Sequence, residues 1–205
     1  IMIGGYVTYI AMSSLGLPAW IAVLLSVIVC TVLGILIEKV AYRPLREAAS
    51  SLAVLITAIG VSYLLQNVAL LIFGSAPKSF TSVVSVPALT FAGGRLTISG
   101  ETIVTIASCI VVMTALTLFI NKTKAGQAML AVSEDKGAAK LMGINVDATI
   151  ALTFAIGSGL AAIAGVLLCS AYPTLNPYTG SMPGIKAFVA ACVRGWHDQS
   201  LSVWL

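Results

Sequence analysis

Charge is scarce in this sequence. Only 9% of its 205 residues are Asp, Glu, Lys or Arg, where a soluble domain carries about 25%. A larger core does not account for so deep a deficit; it makes lipid the solvent for most of the surface. Histidine is nearly missing, with His197 the single copy. There is no Gly-x-Ser-x-Gly, no His-Glu-x-x-His and no metal-ligand spacing, so no catalytic residue and no metal site is expected. Glycines are present, but no phosphate loop follows a strand, so the chain is expected to bind neither ATP nor another cofactor. Cys30, Cys109, Cys169 and Cys192 form no Cys-x-x-Cys pair, and the first three lie inside apolar runs, where they read as small buried hydrophobes. The net charge of +4 does not point to nucleic acid: the basic residues sit in short loops between apolar runs, where they report topology.

Apolar sequence takes the place of charge, at 59% of the chain. Residues 17–37, 52–73, 102–120 and 148–170 are each long enough to cross a bilayer, which takes roughly 20 residues. None of the four contains Asp, Glu, Lys, Arg or His. A charge at a helix centre costs about 2.5–3.5 kcal/mol on insertion scales and usually serves a function there, so this absence argues against a proton relay or an ion-coupled carrier. Residues 1–12 read as the tail of a span whose first half is absent, and the run from Ala187 to Val193 opens another that is not completed. The expectation is a fragment truncated at both ends. Pro18 and Trp20 mark the start of the first full span, at an interface. Residues 38–51 read as a charged loop broken at Pro44. Residues 74–100 form a longer loop with Pro77, Pro87 and a Gly93-Gly94 turn, where 89–91 and 96–98 suit a small hairpin. Residues 172–186 read as a third loop, with Pro173, Pro177 and Pro183.

Residues 121–147 are different in kind, mixing charge with helix formers between two spans. Two short helices are expected, near 124–132 and 134–142. Ser133 would cap the second, Glu134 and Asp135 would sit on its dipole, and Gly143 would stop it. If 38–51 and 121–147 share a side, that side holds Lys39, Arg43, Arg46, Lys122, Lys124, Lys136 and Lys140 against Lys78, Arg95 and Lys186 opposite. That bias places the insert in the cytoplasm, where a soluble partner can grip it. The fold class is all-α: a polytopic transmembrane helical bundle with a cytoplasmic coupling-helix loop. Ser62 and Gln66 share one face of the second span, with Asn67 adjacent. They line a polar pathway, or they are interhelical hydrogen-bond glue worth about 0.6 kcal/mol each. Gly157, Ala161 and Gly165 form a small-residue stripe for helix packing or for a sliding seam between subunits. A stand-alone secondary carrier or channel, or an intramembrane enzyme, are the readings of other classes; the first expects intramembrane charge or broken helices, the second a nucleophile–base or metal set.

Several separated stretches resemble one family. They are Glu38-Lys39-Val40-Ala41-Tyr42-Arg43-Pro44-Leu45-Arg46, then Leu55-Ile56-Thr57-Ala58-Ile59-Gly60, then Gly126, Ala131, Glu134-Asp135, Ala138 and Leu141-Met142-Gly143-Ile144-Asn145. Ala151-Leu152-Thr153-Phe154, Ala164-Gly165-Val166-Leu167, Asn176-Pro177 and Gly184-Ile185-Lys186-Ala187-Phe188 complete the series. In this order they are similar to the inner-membrane permease subunit of ABC importers for branched-chain amino acids, the LivH type. The resemblance implies a bacterial inner-membrane protein paired with a second, homologous permease, two cytoplasmic ATPase subunits and a periplasmic solute-binding protein. It makes 121–147 the segment that docks on the ATPase, with Gly126, Glu134, Asp135, Ala138, Gly143, Ile144 and Asn145 as coupling residues. The implied solutes are leucine, isoleucine and valine, with urea or short amides as the alternative within the family. Residues 1–191 carry the resemblance, as a partial permease domain. From Cys192 the tail 192–205 departs from it, and a reading-frame shift is the expected cause.

Overall fold

The computed structural model describes residues 1–14, 16–44, 51–79, 89–91, 96–98 and 100–203. The Gly93-Gly94 turn, Pro87, Arg46 and Arg95 lie outside them. Eight α-helices appear among the described residues: α1 (Met2–Ser13), α2 (Ala19–Ile37), α3 (Ser51–Phe73), α4 (Gly100–Lys122), α5 (Lys124–Glu134), α6 (Lys136–Leu141), α7 (Val146–Ala171) and α8 (Ser181–Val203). Four helical stretches are long and apolar enough to cross a membrane, at Ala19–Tyr42, Ile56–Phe73, Gly100–Lys122 and Val146–Ala171. They fall on the four predicted crossings.

Two boundaries differ from expectation. The helix begun by α2 does not end at Ile37; a π-helical turn carries it through Glu38–Tyr42, closed by Arg43 N–H donating to Glu38 O at 2.9 Å. Such turns admit one extra residue per turn and recur at functional sites, and this one keeps Glu38 only 3% exposed in what was expected to be a loop. α8 begins at Ser181, inside the predicted third loop, with Pro183 in the first turn, where a missing N–H costs little. Its backbone stays helical into the 192–205 tail, whose side chains, except that of Val193, lie outside the described ones.

α1, α2 and α7 form the packed centre, α1 lying on both of the others. Small residues let the backbones close up. A Cβ on Gly4 would come within 2.8 Å of Ala162 Cα, and one on Gly34 within 2.6 Å of Ser158 Cβ. Gly4 O accepts two buried hydroxyls, from Thr8 at 2.9 Å and Ser26 at 2.8 Å. At one end a small cluster of Met2, Tyr6, Ala69, Cys169 and Leu175 ties α3 to this centre, with the Tyr6 and Phe73 rings stacked 4.2 Å apart. Two strand pairs complete the description. The two strands predicted for a hairpin pair antiparallel, Leu89 with Ile98, Thr90 with Thr97 and Phe91 with Leu96. The second pair, β1 (Lys78–Ser79) with β4 (Thr174–Leu175), joins two segments both expected to be loop. β2 is Leu89–Phe91 and β3 is Leu96–Ile98.

Candidate functional site, the insert between α4 and α7

The insert is shaped by local hydrogen-bond chemistry at each of its corners. At the first corner, Thr123 Oγ1 accepts from Gly126 N–H at 3.0 Å and donates to Phe119 O at 2.6 Å, capping α5 and tying it to the end of α4. Gly126 is buried where α5 folds back on α4. A Cβ there would sit against Ile120 Cα, 2.5 Å from Ile120 O and 2.6 Å from Phe119 O, so only glycine fits the elbow.

The second corner corrects the sequence reading. Ser133 caps nothing: it lies inside α5, and its hydroxyl donates back to Leu130 O at 2.6 Å. The cap of α6 is Asp135, whose Oδ1 accepts from Gly137 N–H at 2.7 Å and Ala138 N–H at 3.3 Å. Its backbone is extended, as a cap requires, and its charge suits the helix N-terminus. Glu134 is therefore the last residue of α5 rather than the first of α6.

At the third corner Gly143 has φ +81°, and the helix stops as expected. Ile144 N–H donates to Ala139 O at 3.1 Å and Gly143 N–H to Lys140 O at 3.1 Å. Together these are the paired bonds of a Schellman stop, with Ile144 the hydrophobic residue that follows it. Asn145 then caps α7, its Oδ1 accepting from Ala148 N–H at 3.2 Å. Of the residues singled out in the insert, Gly126, Asp135, Gly143, Ile144 and Asn145 thus each set a bend, while Glu134 and Ala138 are exposed.

Val132 and Ala139 are the buried side chains that seat the insert, α5 and α6 both touching α7. Its tip presents apolar side chains outward: Leu141 is 91% exposed and Met142 82%, just before the stop. Neither was singled out from sequence as a contact residue, although two bulky apolar residues before a helix-stopping glycine in a polar segment were the available signal. Beside the insert, the π-turn meets the start of α7. The Tyr42 and Phe154 rings lie 4.9 Å apart, and Arg43 Nη2 lies 3.5 Å from Asp147 Oδ2. The helix that follows the insert is thereby joined to the end of α2.

The candidates inside the spans divide. Ser62 and Gln66 line a recess beside α1, whereas Asn67 turns back on its own helix, Nδ2 donating to Tyr63 O at 2.8 Å. In the small-residue stripe, Gly165 is buried against Ile1 and Ala161 is half-buried, but Gly157 meets open space. Further close contacts with α1 and α2 run through Ser158, Gly159 and Ala162.

Residues 1–203 match the family described as branched-chain amino acid transport system / permease component. The chain belongs to that permease family. Its relatives include the high-affinity branched-chain amino acid transport system permease protein LivH of Salmonella typhimurium, 40% identical over 211 residues, and LivH of Escherichia coli, 38% identical over 207. The corresponding permease BraD of Pseudomonas aeruginosa is 40% identical over 207 residues. Each alignment covers 95% of this chain and 66% of the relative, so the chain spans just under two thirds of their length. No solved structure matches. Membership in a permease family and four membrane-length helices make this an all-α integral membrane protein.

Proposed function

We propose that this chain is a membrane-spanning subunit of an ATP-driven importer of branched-chain amino acids, residing in the bacterial inner membrane. It supplies pathway and coupling, and hydrolysis belongs to its partners. The partners are a second, homologous permease, two ATPase subunits on the cytoplasmic side and a periplasmic solute-binding protein. The insert between α4 and α7 is the docking element for the ATPase, with 38–51 on the same, basic side. The observation that carries this reading is the exposed Leu141–Met142 tip on a segment otherwise rich in charge. A bulky apolar pair held out by a capped, stopped helix is what a groove on a soluble protein can hold. Gly126, Asp135, Gly143, Ile144 and Asn145 serve docking by fixing the direction of that tip, and Glu134 and Ala138 flank it. Motion imposed on the tip passes into α7, and through Tyr42–Phe154 and Arg43–Asp147 into α2.

The test is cysteine cross-linking in the assembled transporter. Met142→Cys should form a disulfide with a cysteine placed on the ATPase surface, sensitive to ATP. Leu141→Asp should abolish ATP-driven leucine uptake. Labelling of Met142→Cys only from the periplasmic side would overturn the reading.

A further inference from the structure

α3 is held at both ends and stands off in between. Near one end Ala69 and Phe73 pack on Tyr6 and its cluster, and at the other α3 touches the π-turn. Between these holds lies a recess of about 570 Å³, walled by the start of α1, by α3, and by the Pro177 turn with the first turns of α8. Met2, Ile59 and Phe188 give it an apolar lining, with Pro177 closing one wall. Besides Tyr63, its polar groups on α3 are Ser62 and Gln66, one helical turn apart. They straddle the middle of the Ile56–Phe73 crossing, the depth at which transporters commonly hold their solute.

Neither side chain makes a hydrogen bond among the described residues, in contrast to Asn67, which is spent on its own helix. Polar groups left unpaired at that depth face a penalty that hydrocarbon cannot relieve. The occupant must therefore carry hydrogen-bonding groups as well as apolar surface. The volume falls within the range of small-molecule sites, about 300–1,000 Å³. It equals roughly one turn of an α-helix with its side chains, taken from a diameter of about 10–12 Å and a pitch of about 5.4 Å. A partner helix crossing the bilayer would need a groove several turns long. Among the described residues no Asp, Glu, Lys, Arg or His side chain lines the recess, which disfavours solutes whose side chains carry a net charge.

We infer that this recess is a solute-binding station on the translocation path, taking a small solute with an aliphatic body and a hydrogen-bonding head, the head read by Ser62 and Gln66. The assignment rests on the importer reading and deepens it to an aliphatic amino acid without a charged side chain. Its neutral hydrogen-bonding lining suits a station that must also release what it holds.

The test uses the full-length permease with its partner subunits in proteoliposomes, with native cysteines replaced. Ser62→Cys should react with a small water-soluble thiol reagent. L-leucine should slow that labelling during turnover, and L-glutamate should not. Gln66→Leu should lower leucine uptake about tenfold, the scale of one hydrogen-bonding group left unpaired, while the ATPase still co-purifies. A Ser62→Cys cross-link to another helix of the complex, or leucine uptake unchanged by Gln66→Leu, would overturn the station and leave the importer intact. Absence of ATP-driven uptake in the wild-type complex would overturn the importer reading itself.

Discussion

Gly126→Ala should disable the insert from a position that faces inward. The added methyl would lie 2.5 Å from Ile120 O and 2.6 Å from Phe119 O. Both are main-chain atoms, so no rotamer change relieves the overlap, and the elbow between α4 and α5 must open. Overpacking of this kind costs typically about 1–3 kcal/mol, and contact with backbone puts Gly126→Ala at the upper end. Opening the elbow also lengthens the 3.0 Å bond from Gly126 N–H to Thr123 Oγ1, a cap worth about 1 kcal/mol. The whole α5–α6 unit swings with it, carrying Leu141 and Met142 off target. At about 1.4 kcal/mol per factor of ten, ATP-driven leucine uptake should fall by about tenfold or more, with the ATPase recovered poorly in co-purification. Thr123→Ala calibrates the scale, because it removes the cap without the overlap and should lose only the smaller share. Gly126→Ala complexes that match wild type in thermal stability, uptake and ATPase recovery would refute the steric reasoning.

The contact between α2 and α7 offers a compensation test. Gly34→Ala drives a methyl into Ser158, whose Oγ is bonded to Ala155 O at 2.9 Å; it should destabilise by about 1–3 kcal/mol, and Ser158→Gly in the same chain should restore most of it in thermal melts. Arg43 and Asp147 are 53% and 57% exposed, so a double-mutant cycle on stability should return under about 1 kcal/mol, less in high salt. A larger loss of uptake than of stability in the charge-swapped singles would mark the pair as a transmission contact between α2 and α7.

Much of this protein is legible along the chain. The four crossings follow from partition between water and hydrocarbon, which needs only a run of neighbouring side chains. The stop at Gly143 and the pairing of 89–91 with 96–98 follow from glycines placed after a helix and between two short apolar runs, which are local codes as well. The second corner of the insert shows the limit of such codes. Ser133 and Asp135 are both good caps on paper, and the choice turned on where α5 ended. With Ser133 bonded back into its own helix, only Asp135 was left extended to receive the next N–H groups. In the stripe at Gly157, Ala161 and Gly165, Gly165 meets Ile1 while Gly157 faces open space, because α7 is turned so that Ser158, Gly159 and Ala162 share the contacts with its neighbours.

The sequence by itself therefore determined the solvent, the number of complete crossings and the presence of a helical polar insert, because each depends on residues adjacent in the chain. Tertiary structure alone decided which small residues touch, that Arg43 reaches Asp147, that Lys78–Ser79 pairs with Thr174–Leu175, and that Ser62 and Gln66 face a recess while Asn67 does not. Those outcomes depend on how each helix is rotated about its axis. That rotation is settled only when α1, α2 and α7 close on one another and small side chains let their backbones approach.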